Sequence, residues 1–325
     1  MTTPHYPEQN IVFMGTALFA VGFLEDLIND GYHVSLVVTT PDKPQGRGHK
    51  LKGSPVKEAA LRLGLPIAQP EKLSDASFLH TLQEAKPTLA LVVAFRMLPK
   101  SVWSLPTLGT FNIHASLLPR WRGAAPINHA IRMGDKETGV TLFRLTHDLD
   151  EGDIYAQCST PIESNETFGE LYDRLNQLGR NMLRSKLPAL LDGSATATPQ
   201  DRSTELPYAY KLNKENSRID WNLPARFVHN FVRSLSPSPG AWAILHLDKE
   251  LEPISIKILS TESREEESYE NTLPGKIILD EKGVIKVACQ SGCIKVLTLQ
   301  AAGKKVMSSR DFLNGTKLTN SSFFE

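Results

Sequence analysis

The sequence has few cysteines, and their spacing argues against two common ways of stabilising a small fold. Only three occur in 325 residues: Cys158, Cys289 and Cys293. The number is odd and no two of them form a C-x-x-C pair, so the sequence predicts neither a disulfide framework nor a zinc site. We therefore expect no metal centre in this chain.

Long apolar runs are also missing. No stretch reaches the roughly 18 to 20 apolar residues that span a bilayer. The first ten residues, MTTPHYPEQN, have neither an apolar signal core nor the arginines of an organellar transit peptide. We expect a cytoplasmic protein with no membrane partner.

Charge of one sign is not in excess. Lys and Arg together number 36, as do Asp and Glu, so the formal net charge is zero. Nucleic-acid-binding domains usually carry a basic excess, but here the total hides local clusters. Bases concentrate in residues 43 to 57, at Arg120 and Arg122, and at Lys304 and Lys305. The zero total is therefore silent on a nucleic-acid partner.

Three widespread binding motifs are absent as well. Where a dinucleotide-binding domain carries G-x-G-x-x-G after its first strand, this chain reads GTALFA from Gly15 onward. The sequence also has no G-x-x-x-x-G-K-[ST] and no H-E-x-x-H. The turn at Gly15 is a plain structural connection or a phosphate cradle of another kind.

What the chain does have is regular alternation. Residues 11 to 14 form a short apolar run, residues 19 to 27 show helical spacing, and residues 34 to 38 are β-rich. Further runs of both kinds continue to a long helix at residues 168 to 187. This pattern predicts an α/β domain with a Rossmann-like, mainly parallel sheet covered by helices on both faces.

The composition changes in residues 192 to 207, which are rich in Ser, Thr and Pro and are typical of a linker. Several short β segments follow at near-regular spacing, which predicts a small β-barrel of the oligonucleotide-binding kind. A length of about 150 residues per domain also favours two domains. We therefore expect an N-terminal domain over residues 1 to 191, the linker, and a barrel domain over residues 208 to 325.

A polar pair interrupts one predicted strand, at residues 110 to 114. Because side chains alternate between the faces of a strand, Asn112 and His114 point the same way. The strand then runs into a Ser-Leu-Leu-Pro turn, near the carboxyl edge where open α/β sheets bind ligands. The pair is either an ordinary hydrogen-bonded pair or part of a site.

Two charged segments have similar alternatives. The acidic segment at residues 147 to 153 is a solvated turn, a cation-binding loop, or the source of a carboxylate that orients His114. Residues 41 to 57 carry five basic residues and one acid, and form either a solvated loop or a loop that reaches phosphates.

Several of these segments together resemble one family. They are the run HASLLPRWRGAAPI from residue 114, the GRG at 46 to 48, LDEGD at 149 to 153, RIDW at 218 to 221 and AAGKK at 301 to 305. They are similar to the methionyl-tRNA formyltransferases, and the resemblance extends over about residues 10 to 314.

The resemblance implies a bacterial-type enzyme, which we expect to be a monomer. Its reaction would transfer the formyl group of 10-formyltetrahydrofolate to the α-amine of methionine on initiator methionyl-tRNA, giving N-formylmethionyl-tRNA for translation initiation. The transfer would be direct, through a tetrahedral intermediate and without a metal. The catalytic residues it implies are Asn112 and His114, which donate to the formyl oxygen, and Asp150, which orients His114 as an imidazolium.

Binding residues are implied in the same way. The turn that holds the pterin side of the folate would be formed by Ser116, Leu117, Leu118 and Pro119. The residues implied to bind tRNA are Lys43, Arg47 and Lys50 in the basic loop and Lys304 and Lys305 in the barrel. Residues 92 to 99, which line the folate pocket in the family, read VVAFRMLP here, one residue shorter than in typical relatives and without their glycine.

Two other functions stay open at this point. The nearest is a formyltransferase of the same fold that acts on a sugar nucleotide or a purine precursor. From a different class, the chain could be a non-catalytic RNA-binding module that has kept the fold.

Overall fold

The structure is a computed structural model that describes residues 9–45, 50–201, 206–247, 251–267, 269, 272–279, 284–319 and 321–325. The chain forms two compact units, each with its own sheet and core. One contains the chain up to Gly123, together with Gly139–Thr160 and Asp173–Tyr208. The other contains Ala124–Thr138, Pro161–Tyr172 and Ala209–Glu325.

Up to residue 191, strands and helices alternate. In chain order they are β1 (Ile11–Gly15), α1 (Leu18–Asn29), β2 (Val34–Val38), β3 (Lys43–Gln45), β4 (Lys50–Lys52), α2 (Pro55–Arg62), β5 (Ile67–Ala68), α3 (Ala76–Glu84), β6 (Leu89–Val93), α4 (Lys100–Trp103), β7 (Gly109–His114), α5 (Pro126–Met133), β8 (Glu137–Arg144), β9 (Ile154–Pro161) and α6 (Phe168–Leu191).

Seven of these strands form one sheet in the order β5-β2-β1-β6-β7-β8-β9. The strands from β5 to β7 pair in parallel, and β8 is antiparallel to β7. Every residue of β1 and β6 is buried, as expected for strands covered on both faces, and this is why their sequences are continuous apolar runs. The predicted mainly parallel sheet is confirmed.

The basic loop begins and ends in a small hairpin of β3 and β4, which pairs Lys43 with Lys52. Asp42, at the base of this hairpin, accepts hydrogen bonds from Gln69 at 2.8 Å and from Lys57 Nζ at 2.6 Å. The bond from Gln69, followed by that from Lys57, lowers the pKa of the Asp42 carboxyl. Lys57 is therefore engaged in anchoring the hairpin.

After residue 208 short strands predominate. The elements are a 3₁₀ turn (Glu215–Ser217), α7 (Ala225–Ser234), β10 (Ala241–His246), β11 (Ile254–Arg264), β12 (Ile277–Leu279), β13 (Ile285–Ala288), β14 (Cys293–Ala301), β15 (Met307–Ser308), α8 (Ser309–Gly315) and β16 (Phe323–Phe324). No helix in the described part of the chain is long and apolar enough to cross a membrane.

These strands form a nearly closed antiparallel barrel. The sheet order is β12-β13-β14-β11-β10-β16, with β15 on β14. Its two end strands meet, because the Phe324 N–H donates to the Gly275 carbonyl at 2.8 Å and Lys276 forms a bridge with Phe323. Buried and half-buried residues alternate along β10, as a barrel wall requires. The predicted C-terminal barrel is confirmed.

Gly275 makes this closure possible. Its φ is 86°, in the left-handed region, and a Cβ added there would lie 2.1 Å from the Phe324 carbonyl oxygen. Gly303 has a similar φ of 76°, but no atom lies within 4 Å of its added Cβ. An alanine at residue 303 would therefore have a strained backbone only, whereas an alanine at residue 275 would also clash with the Phe324 carbonyl.

We expect Gly275→Ala to destabilise the protein more than Gly303→Ala. The left-handed conformation alone costs about 1–2 kcal/mol for alanine, and the clash at the barrel closure adds about 1–3 kcal/mol. Urea unfolding of the whole chain, followed by tryptophan fluorescence, measures both variants. Equal losses of unfolding free energy would show that residue 275 does not need the space.

Candidate active site

The polar pair lies at the carboxyl end of β7, which is a central strand of the parallel sheet. Phe111 and Ile113 are buried in the core of the unit, while the alternate positions belong to Asn112 and His114. Asn112 is half-buried and its backbone is paired with Phe143 of β8. The strand therefore places an amide and an imidazole next to each other at the sheet edge.

Two groups face the ring of His114. Its Nε2 lies 2.9 Å from the carbonyl oxygen of Trp121, and because a carbonyl only accepts, Nε2 carries a proton. Its Nδ1 faces Asp150 Oδ2 at 3.9 Å, which is an ion-pair distance but too long for a hydrogen bond. The backbone thus holds Nε2, and Nδ1 is the ring atom that faces the Asp150 carboxylate.

The two residues that face His114 both have strained backbones. Trp121 has a φ of 61° and Asp150 a φ of 55°, in the left-handed region that non-glycine residues seldom adopt. Gly123 joins their two loops, because its N–H donates to Asp150 Oδ2 at 2.9 Å. Strain of this kind, concentrated around one buried side chain, is typical of functional sites.

The acidic segment returns closely onto the end of β8. The Arg144 N–H donates to the Asp153 carbonyl at 3.0 Å. A Cβ added at Gly152 would lie 1.6 Å from the Arg144 carbonyl oxygen, so only glycine fits there. This close approach fixes where Asp150 can lie.

The turn after β7 is held together internally. Thr141 Oγ1, on β8, donates to the Ser116 carbonyl at 2.6 Å and accepts the Leu118 N–H at 3.1 Å. The Ser116 hydroxyl donates to the Arg120 carbonyl at 2.7 Å. Ser116 and Leu118 are buried, whereas Leu117 and Pro119 are half-buried. Of the four residues predicted to hold the folate, these last two are therefore the more accessible.

A cleft of about 730 Å³ lies beside these residues, within the size range of ligand pockets. Asp150 and His114 do not line it, but both sequence neighbours of Asp150 do. Its lining includes Met97, Pro119, Arg122, Leu149, Glu151 and Tyr208.

The shortened segment near this cleft is anchored by an arginine. Arg96 Nη1 donates to the Glu71 carbonyl at 2.7 Å, and its other terminal nitrogen donates to the Pro70 carbonyl. The guanidinium also lies 5.7 Å from the centre of the Phe95 ring. This arginine therefore ties the segment that departs from the family pattern to the neighbouring loop.

The residues predicted to bind tRNA are distributed over both units. Lys43 is exposed on β3, Lys50 lies on β4, and Arg47 lies outside the described residues. Lys304 and Lys305 are exposed in the turn that follows β14.

One basic residue of the clusters seen in the sequence has an internal role instead. Arg122 Nη1 lies 2.7 Å from Glu151 Oε1, so its charge is already paired.

In the described part of the chain, no three His, Cys, Asp or Glu side chains are grouped so that they could hold a metal ion.

A residue that the sequence did not indicate contacts the Asp150 loop. Gln200, inside the predicted linker, is buried and donates hydrogen bonds to the carbonyls of Asp150 and Gly152. Nothing in the composition of residues 192 to 207 marks it. The one available signal was a lone glutamine with a large uncharged polar side chain after a Pro, which is too common to be informative.

Comparisons with known proteins identify one family for both parts of the chain. A formyl transferase family model matches residues 9–187, and a formyl transferase C-terminal domain model matches residues 211–317. A methionyl-tRNA formyltransferase of Porphyromonas gingivalis is 49% identical over 321 residues, which is 98% of this chain and 99% of that protein. One from Bacteroides fragilis is 46% identical over 312 residues, or 95% of each chain.

Solved structures share the fold at lower identity. An N-formyltransferase from Helicobacter canadensis, solved with folinic acid and dTDP-3-aminofucose, has a TM-score of 0.63 at 18% identity and covers 89% of this chain and 98% of its own. HypX from Aquifex aeolicus, in complex with tetrahydrofolic acid, has a TM-score of 0.62 at 18% identity. That match covers 95% of this chain and 48% of HypX.

The two family models together match most of the chain, one for each predicted domain type. The relatives are nearly half identical over almost their full lengths. The chain belongs to the methionyl-tRNA formyltransferase family.

Proposed function

We propose that this chain transfers the formyl group of 10-formyltetrahydrofolate to the α-amine of methionine on initiator methionyl-tRNA. The observation that carries the proposal is the buried pair of His114 and Asp150, separated by 3.9 Å at the carboxyl end of β7. Open parallel sheets bind their ligands at this edge. The products are N-formylmethionyl-tRNA and tetrahydrofolate.

Donors to the formyl oxygen are the first requirement of this reaction. As the amine attacks the formyl carbon, negative charge develops on the oxygen. The Trp121 carbonyl holds the Nε2 proton of His114, which leaves Nδ1–H to donate to that oxygen. The side-chain amide of Asn112, two residues earlier on the strand, supplies a second donor. Donors aimed at such an oxygen lower the barrier by about 3–4 kcal/mol each, measured by deletion.

The second requirement is the movement of one proton. The C–N bond to methionine forms while the bond to N10 of the folate breaks, so the α-amine loses a proton and N10 gains one. Asp150 accepts the amine proton directly or through a water, as a carboxylate general base does. Its separation from His114 exceeds a hydrogen bond, so the two side chains are not bonded directly to each other. Its carboxylate also lies opposite Nδ1, the ring atom proposed as the donor.

Each substrate has its own set of contacts. The turn of Ser116, Leu117, Leu118 and Pro119 holds the pterin side of the folate, with the neighbouring cleft of about 730 Å³ open beside it. Arg47, flanked by Lys43 and Lys50, reaches the acceptor end of the tRNA, and Lys304 and Lys305 contact its phosphates.

The direct test compares acceptors. We expect the purified chain, supplied with 10-formyltetrahydrofolate, to formylate charged initiator methionyl-tRNA and to prefer it to charged elongator methionyl-tRNA. A dTDP-amino sugar serves as the competing acceptor, because sugar formyltransferases share this fold. Transfer to the sugar but not to tRNA, or to no acceptor at all, would contradict the proposal.

The catalytic assignments predict a loss of turnover. We expect Asn112→Ala and His114→Ala to lower kcat by about 10²–10³-fold, because each removes a donor to the formyl oxygen. Asp150→Asn lowers kcat by about 10²–10⁴-fold through loss of the base. Asp153→Asn, an exposed carboxylate of the same segment, is the matched control and keeps near-normal turnover. Near-normal formylation by His114→Ala would rule out this mechanism.

The tRNA contacts predict a different kinetic change. Arg47→Ala and Lys305→Ala should raise the KM for tRNA and leave the KM for folate unchanged, because a phosphate contact is lost. Each should also reduce the slope of log affinity against log salt by about 1. Lys100→Ala removes an exposed lysine at the start of α4 and is the control. If both variants keep the KM for tRNA, the assignment is wrong.

A further inference from the structure

We propose that Gln200 is a positioning residue that, together with Arg122, holds the carboxylate of Asp150 opposite His114. The inference deepens the proposed formyl transfer and rests on it. Neither residue touches the reacting atoms in this assignment. Gln200 acts through two backbone carbonyls of the segment that carries Asp150. Arg122 acts through the side chains of Glu151 and Gln200.

Gln200 uses every hydrogen-bonding group of its amide. Its Nε2 donates to the Asp150 carbonyl at 2.9 Å and to the Gly152 carbonyl at 2.7 Å. Its Oε1 accepts from Arg122 Nη2 at 2.8 Å. The residue is 7% exposed, so these partners replace water. Two N–H donors and one acceptor on a single uncharged group are what an amide side chain provides.

Arg122 completes the arrangement from the other side. Its Nη1 donates to Glu151 Oε1 at 2.7 Å, so each of the three residues from 150 to 152 has a fixed contact. The next residue, Gly123, donates its N–H to Asp150 Oδ2 at 2.9 Å. The carboxylate and the backbone of Asp150 are therefore held separately.

Asp150 needs this support because its backbone is strained. With a φ of 55°, Asp150 lies in the left-handed region. Without the hydrogen bond from Gln200, its buried carbonyl would have no partner to hold this conformation. A shift of about 1 Å at a reacting group can slow a reaction by about 100-fold. The gap of 3.9 Å between His114 and Asp150 depends on the same backbone.

The position of Gln200 itself does not depend on its side chain. Thr198, two residues earlier, exchanges two backbone hydrogen bonds of 2.8 Å with Ile154 of β9. This pairing holds residues 198 to 200 against the sheet. Replacing the Gln200 amide therefore tests the contacts to the Asp150 loop and leaves the local chain path in place.

Two variants of Gln200 and one control provide the experiment. Gln200→Met removes all three hydrogen bonds at similar volume, and Gln200→Glu keeps an oxygen for Arg122 but loses both donors. Gln177→Glu makes the same charge change at an exposed position of α6. We expect the single-turnover rate at saturating substrates, expressed per folded molecule, to fall by about 10- to 100-fold in both Gln200 variants, with the KM for each substrate little changed. The urea midpoint falls in both variants because buried carbonyls lose their donors, but the chain stays folded without urea.

A second measurement does not depend on formylation. The ring ¹⁵N chemical shifts of His114 at fixed pH, assigned with His114→Gln, report how Asp150 faces the ring. We expect them to change in Gln200→Met and to stay constant in Gln177→Glu.

The outcomes separate the two proposals. Unchanged turnover and unchanged His114 shifts in both Gln200 variants overturn the positioning role. A rate loss fully explained by a smaller folded fraction also overturns it, because the role would then be structural. A wild-type chain that does not formylate methionyl-tRNA, but whose His114 shifts respond to Gln200→Met, overturns the proposed function and retains the positioning role.

Discussion

The contact on which the site depends is the hydrogen bond from His114 Nε2 to the carbonyl of Trp121. It binds Nε2 of the ring to the backbone, whereas Nδ1 faces Asp150. The bond is possible only because the chain turns back sharply after β7, with Trp121 in the left-handed region. Thr141 stabilises this return from the neighbouring strand. The position of the imidazole is thus set by the local path of the chain after the strand.

The overall architecture could be predicted because burial determines the spacing of apolar residues along each strand and helix. The strands β1 and β6 are buried on both faces and read as continuous apolar runs, and β10 alternates as one wall of a barrel. Where burial is partial the pattern fades. The strand β9, with the sequence IYAQCSTP, has no buried residue, so burial imposes no pattern that marks it as a strand. The helix α5 was missed despite Pro126 in its first turn and Gly134 just past its end, which are ordinary boundary signals.

The contacts of the site are harder to predict because they depend on which backbone groups lack a partner. The Ser- and Thr-rich composition of residues 192 to 207 indicates a linker, yet Thr198 pairs with β9 and Gln200 contacts the Asp150 loop. Arg122 contributes to a basic cluster in the sequence, but its guanidinium is bound to Glu151 and Gln200. In both cases the sequence gives the residue type, whereas its role follows from carbonyls and carboxylates that only folding brings near.

The identity of Asp150 follows from two demands that few residues meet together. Its backbone is left-handed, which glycine, asparagine and aspartate adopt most easily, and the proposed reaction requires a negative charge opposite His114. Glycine satisfies the first demand and glutamate the second, but of the twenty residues only aspartate satisfies both. Trp121, in contrast to aspartate, has no intrinsic preference for the left-handed region, and a bulky residue at a φ of 61° is a true outlier. Its ring is stacked under the Arg120 guanidinium at 4.8 Å and buried, so packing holds the strained carbonyl toward His114.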